Sequence, residues 1–118
     1  MSLSRDDLLT PRARRTEEVE TPELGGSVKI RALRFSEFSK LWAEMMKLDE
    51  TKDADDLIAL QLMAFVVNGD GSPVFSSKED VYNFLEHCSD AAAVARIMKA
   101  GNDLNRIGQA AVEAAEKK

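Results

Sequence analysis

The chain has 118 residues, 44% of them apolar and 31% charged, with 21 acidic against 16 basic side chains and a formal charge of −5. That length sets an expectation of one domain with one modest core, and that composition excludes a disordered chain or a wholly membrane-embedded one. The negative balance disfavours sequence-independent binding to nucleic acid or anionic lipid, while a single cysteine and a single histidine exclude an internal disulfide and every mechanism needing two imidazoles.

Residues 1–15 mix Ser, Asp, Pro and Arg without sustained periodicity and are expected to form a flexible N-terminal arm, with one helical turn at Asp6 to Leu9. Charge at Arg5, Asp6 and Asp7 stands where an export signal would begin its apolar stretch. Arg12, Arg14 and Arg15 lack interleaved aromatics and are followed by Glu17, Glu18, Glu20 and Glu23, so they read as a solvated cluster rather than a nucleic-acid contact.

Residues 16–118 are expected to form a single domain of a hairpin and helices. From Thr16 the pattern alternates, and Pro22-Glu23-Leu24-Gly25-Gly26 separates it from a second alternating run with Val28 and Ile30 on one face. Setting Val19 opposite Ile30 places Glu18 opposite Arg31 and Glu20 opposite Lys29. One face is then apolar and the other carries opposite-charge pairs, each contributing about 0.2–1 kcal/mol. An isolated hairpin is marginal in water, so the apolar face must lie on the helices that follow.

The first of these is expected to be capped by Ser36, to carry Phe38, Leu41, Trp42 and Met45 at i, i+3, i+4, i+7, and to end near Leu48. Those positions read first as core, although Met46 and Leu48 fall off the stripe and leave apolar surface for a partner. A second helix, about Ala54 to Val66, is apolar nearly all round and should be central. The longest apolar run, Leu57 to Val67, is about half the roughly 20 residues of a membrane span.

Asn68-Gly69-Asp70-Gly71-Ser72-Pro73 is a turn whose flanks, Val66-Val67 and Val74-Phe75, either pair as a very short hairpin or simply reverse direction. Ser76-x-x-Glu79 reads as a capping box for a helix with Val81, Phe84 and Leu85. Ser89 is the expected cap of another, carrying Val94, Ile97 and Met98. Gly101 and Asn102 are expected to break or bend it before a last segment, Asp103 to about Ala115, with Leu104, Ile107, Ala111 and Val112 on one side. The fold class is α+β, mainly α: an N-terminal β-hairpin packed on a bundle of four to five helices.

No catalytic or cofactor chemistry emerges. His87 and Cys88 are adjacent, so on a helix they diverge by about 100°, and a zinc site lacks its other ligands. Gly69-Asp70-Gly71 has neither the third glycine of a dinucleotide loop nor the Lys of a P-loop. Read as a calcium loop, it would put Val66 and Ser77 at ligand positions. The neighbouring carboxylates Asp49/Glu50, Asp55/Asp56 and Glu79/Asp80 sit at helix starts or connections, where solvation and helix dipoles account for them. Alone, these residues describe a small acidic, mainly helical binding or scaffolding module with no cofactor.

The residue string goes further. Leu3-Ser4-Arg5-Asp6-Asp7-Leu8-Leu9 and the run Thr16 to Arg31 resemble the N-terminal hairpin of tail assembly chaperones from siphovirus-type, long-tailed bacteriophages. Leu62 to Val67, the Gly-rich turn, Phe75, the Asp80-Val81 helix and Leu104 to Lys117 are similar to that family in the same order, while Phe35 to Asp53 and Asn68 depart from it. The resemblance implies a non-enzymatic chaperone of the host bacterial cytoplasm. It would bind the tape measure protein, a long helical chain whose apolar stripes need shielding, while the tail tube assembles, and be absent from the mature virion. Weak homo-oligomerisation is implied, and no membrane or nucleic-acid partner.

The expected contact residues are Val94, Ile97, Met98, Leu104 and Ile107, a stripe whose spacing suits a core face equally. The rival function is a structural virion component such as a head–tail connector or minor tail protein. Many members of the resembled family also have a longer form, made by a −1 frameshift, that recruits tail tube protein. Here Glu116-Lys117-Lys118 permits the slippery codons GAA-AAA-AAG.

Overall fold

A computed structural model describes residues 2–105. Ser4 Oγ accepts from the Asp7 N–H at 3.2 Å, and the Asp7 carboxylate accepts from the Ser4 N–H at 3.0 Å. This reciprocal cap starts one turn of helix, α1 (Arg5–Leu8), which is exposed on all sides.

The hairpin of β1 (Thr16–Thr21) and β2 (Gly26–Arg31) is antiparallel, with Val19 and Ile30 buried and Val28 half-buried, the face expected. Its register is not the expected one. Val19 faces Val28, Glu18 faces Lys29 and Thr16 faces Arg31, a slip of two residues. Such a slip leaves each side chain on its own face, so the apolar pattern does not discriminate and the turn decides. Pro22–Leu24 form a 3₁₀ turn ended by Gly25 at φ +80°, and the buried Thr21 hydroxyl donates to Gly26 O at 2.7 Å. Arg31 then has no Glu18 opposite. Its Nε donates instead to Ala64 O at 2.9 Å.

The next helix, α2 (Phe35–Met46), begins earlier than expected. Arg34 is its N-cap, with the Arg34 N–H donating to Glu37 Oε1 at 2.7 Å, so Ser36 lies inside the first turn. Next, α3 (Ala54–Phe65) is the central element, packing on α2, on α4 (Lys78–Asn83) and on α5 (Ala91–Asn105). Val66–Val67 leave it as β3, which pairs with β2 at Lys29 and Ile30 and makes a three-stranded sheet in the order β1-β2-β3, a pairing with the hairpin that the sequence pattern did not reveal. Arg31 thereby serves both structures, satisfying a carbonyl in the last turn of α3 that the helix leaves unpaired. Of the expected hairpin only a remnant is found: Val67 makes a single bridge to Pro73, with Gly71 at φ +91° between them, and Val74–Phe75 form no strand.

Caps shift by one residue further on. Ser77, not Ser76, accepts from the Asp80 N–H at 3.3 Å, while Asp80 accepts from the Ser76 N–H at 3.0 Å. After α4 a π-helical turn, Phe84–Cys88, widens the chain, and Phe84 packs on Phe75 with ring centroids 5.3 Å apart. Asp90, not Ser89, accepts from the Ala93 N–H at 2.9 Å and starts α5. The expected break at Gly101 is absent. This glycine is buried within α5, where an added Cβ would collide with the Phe65 ring, so it serves close helix packing. Asn105 fastens this end of α5 to the β2–α2 link, accepting from the Leu33 N–H at 2.6 Å and donating to Gly101 O at 3.0 Å. The rest of the expected last segment lies outside the described residues.

Ile30, Leu62, Phe65, Val81 and Ile97 are fully enclosed between the sheet and α3, α4 and α5. Each contributes about 1.5–3 kcal/mol relative to exposure. The architecture is α+β and mainly α, with five α-helices and one antiparallel sheet among the described residues.

Candidate functional site

With the core accounted for, α2 keeps an apolar face that nothing among the described residues covers. Leu41 is buried and Met45 half-buried against α3, but the other half of the apolar arc turns outward. Phe35 is 85% exposed, Met46 67% and Trp42 44%. The Phe38 and Trp42 rings stack at 6.1 Å with an interplanar angle of 19°, which holds the indole in a fixed orientation on this surface. A contiguous exposed apolar strip on a helix marks a place of association. The spacing treated first as core is therefore core at Leu41 and surface at Trp42. Phe35 escaped sequence reading because a cap at Ser36 places it outside the helix; with Arg34 as the cap it occupies the first helical position, seven residues before Trp42.

The N-terminal end of α2 is a charge junction. Glu37 accepts from Arg14 at 3.1 Å, with an ion-pair distance of 2.9 Å, and lies 3.6 Å from the Arg31 guanidinium. Partial burial pushes its carboxyl up, but the hydrogen bonds from the Arg34 N–H and Arg14, with the charges of Arg31 and Arg14, outweigh that and hold it below its ordinary range. Arg14 thus joins the start of the chain to α2, and Arg15 donates to Leu104 O at 3.2 Å, so two members of the basic cluster bond to the body of the protein.

Beside the sheet lies an open cleft of about 370 Å³, with Val28, Lys29, Val66, Phe75, Phe84 and Ile97 among its lining. Of the expected contact residues, Ile97 is 1% exposed and belongs to the core. Val94, Met98 and Leu104 are half-buried, and Ile107 lies outside the described residues. Arg96, on the same helix, donates to Glu23 at 2.6 Å and ties α5 to the hairpin turn.

Among the described residues no three His, Cys, Asp or Glu side chains gather to hold a metal ion, and no helix is long and apolar enough to cross a membrane. No protein-family model and no curated protein matches the chain. Among solved structures, the tail assembly chaperone of bacteriophage HK97 matches with a TM-score of 0.57 and 18% identity, over 86% of this chain and 92% of that one. At that identity the likeness is one of fold: a hairpin and helices arranged as in a phage tail assembly chaperone.

Proposed function

We propose that the chain is a phage tail assembly chaperone that binds the tape measure protein in the host cytoplasm, keeps it soluble while the tail tube assembles, and is absent from the finished virion. The observation that carries this reading is the match to the HK97 tail assembly chaperone across 86% of the chain. The residue resemblance supports it independently, because it runs from the hairpin to the stretch Leu104 to Lys117 in the same order. The exposed strip of α2 suits a protein whose task is to cover the apolar stripes of a long helical client. In this reading α5 contributes contact only through the half-exposed Val94, Met98 and Leu104, and Ile97 supports the fold.

The test is co-expression with the tape measure protein of the same genome. Soluble tape measure protein is expected only when this chain is present, and an equally soluble tape measure protein without it would remove the reading. Mass spectrometry of purified virions gives a second check: abundant recovery of this chain would replace the chaperone by a structural virion component.

A further inference from the structure

In the sheet order β1-β2-β3, β1 is an edge strand. Arg15 O accepts from the Ala32 N–H at 2.8 Å, and antiparallel partners alternate between bonded and non-bonded pairs. Glu17, Val19 and Thr21 therefore turn their backbone groups toward β2, while Thr16, Glu18 and Glu20 turn theirs away from it. The N–H and C=O groups of Thr16, Glu18 and Glu20 have no hydrogen-bond partner among the described residues. Repeating about every 7 Å, such groups are a template for a further strand. A trough of about 300 Å³ opens between β1 and α5, so the described residues do not fill the space beside this edge.

Charge decides which strand fits there. Both cations that line the trough are already engaged, Arg96 with Glu23 at 2.6 Å and Lys99 with Asp103 at 2.9 Å. Lys29, directly across from Glu18, donates to Gly69 O at 3.1 Å, and Glu18 accepts from the Ser27 hydroxyl at 2.9 Å. Glu17, Glu18 and Glu20 are exposed and form no ion pair among the described residues. Like charges directly opposite one another destabilise a strand pair, so these carboxylates select against an acidic strand and for a basic one. A second copy of β1 is selected against by the same rule. A two-fold axis centred on residue 17, 18, 19 or 20 sets Glu17 on Glu17, Glu18 on Glu18, Glu18 on Glu20, or Glu20 on Glu20.

We propose that β1 receives an extended segment of a partner protein as the next strand of the sheet, one with lysine or arginine at alternate positions beside Glu18 and Glu20. Backbone bonds to Thr16, Glu18 and Glu20 would hold the segment, and the carboxylates would choose it. This stands on the sheet edge alone and does not require the client to be the tape measure protein.

The test titrates the full chain with a blocked, fluorescein-labelled peptide in which lysine alternates with valine, and with the same peptide carrying glutamate for lysine. The lysine peptide is expected to bind at least tenfold more tightly than the glutamate peptide, and Glu18→Gln/Glu20→Gln to weaken its binding about tenfold with an unchanged circular dichroism spectrum. On saturation, amide hydrogen exchange should slow several-fold at Thr16, Glu18 and Glu20 and change little at Glu17 and Val19, which β2 already holds.

Equal affinity for the two peptides, or undiminished binding by the glutamine variant, would overturn the role of the carboxylates and with it the proposal. Binding without slower exchange at Thr16, Glu18 and Glu20 would reduce the contact to charge attraction and equally overturn it. Slow exchange at those amides in the free protein, with a dimer's mass by light scattering, would give the edge to a second copy and overturn it as well. None of these outcomes touches the chaperone reading, which the co-expression experiment tests separately.

Discussion

At the scale of single residues, Glu37 shows how one side chain joins three parts of the molecule. It closes the first turn of α2, holds Arg14 at 2.9 Å and faces Arg31 of the sheet at 3.6 Å. Because its carboxyl is held below its ordinary value of 4.5, its stabilisation is complete above that value and is lost as pH falls through the lower folded-state value. Glu37→Gln is therefore expected to cost about 1 kcal/mol at pH 7, the scale of a lost cap and a partly exposed ion pair. Urea unfolding at pH 7 and at pH 3 checks this: the gap between wild type and variant should narrow in acid. An equal gap at both values would show that the charge contributes nothing and the loss is one of shape.

At the scale of elements, the sequence specifies faces better than positions along the chain. Alternation placed Val19, Val28 and Ile30 on one side of the hairpin, and that side is inward. The two-residue slip was invisible to the same alternation, because pairs two apart share a face. The consequence is measurable. Arg31 bonds to Ala64 O and faces Glu37 rather than Glu18, so charge reversal at Glu18 and Arg31 together should not compensate. A double-mutant cycle is expected to give additive losses within about 0.5 kcal/mol, with Arg31→Glu the larger. A coupling near 1 kcal/mol would restore the alternative register.

Helix starts were legible to within two residues: Ser76/Ser77 and Ser89/Asp90 are neighbouring candidates between which tertiary packing chooses, whereas at α2 Glu37 closes the backbone N–H of Arg34 and displaces the expected Ser36. The small error at Arg34 had a large effect, because it removed Phe35 from the strip. Gly101 failed for a different reason. A glycine within a helix signals a break by propensity, whereas here it admits the Phe65 ring, a contact between residues far apart in the chain.

At the scale of the whole molecule, the mainly helical α+β class was legible because α3 is apolar on nearly every side and has to be surrounded. The place of Val66–Val67 in the sheet was not, since two residues that leave a buried helix carry no alternation that would name β2 as their partner. The division between fold and surface was hardest to read, because helical spacing marks an apolar stripe without saying what covers it.

Ile97 and Phe35 now stand on opposite sides of that division, and substitution separates them. Ile97 is enclosed on α5, in the core with Phe65 and beneath the cleft beside the sheet. An aspartate there buries an unpaired carboxyl in place of a branched side chain, so Ile97→Asp is expected to cost more than about 3 kcal/mol and to abolish the cooperative urea transition. Any loss of client capture by this variant should track its loss of folding, as read by circular dichroism on the same samples. An Ile97→Asp protein with a native spectrum and a wild-type urea midpoint that failed to bind the client would move the contact to α5 and remove Ile97 from the core.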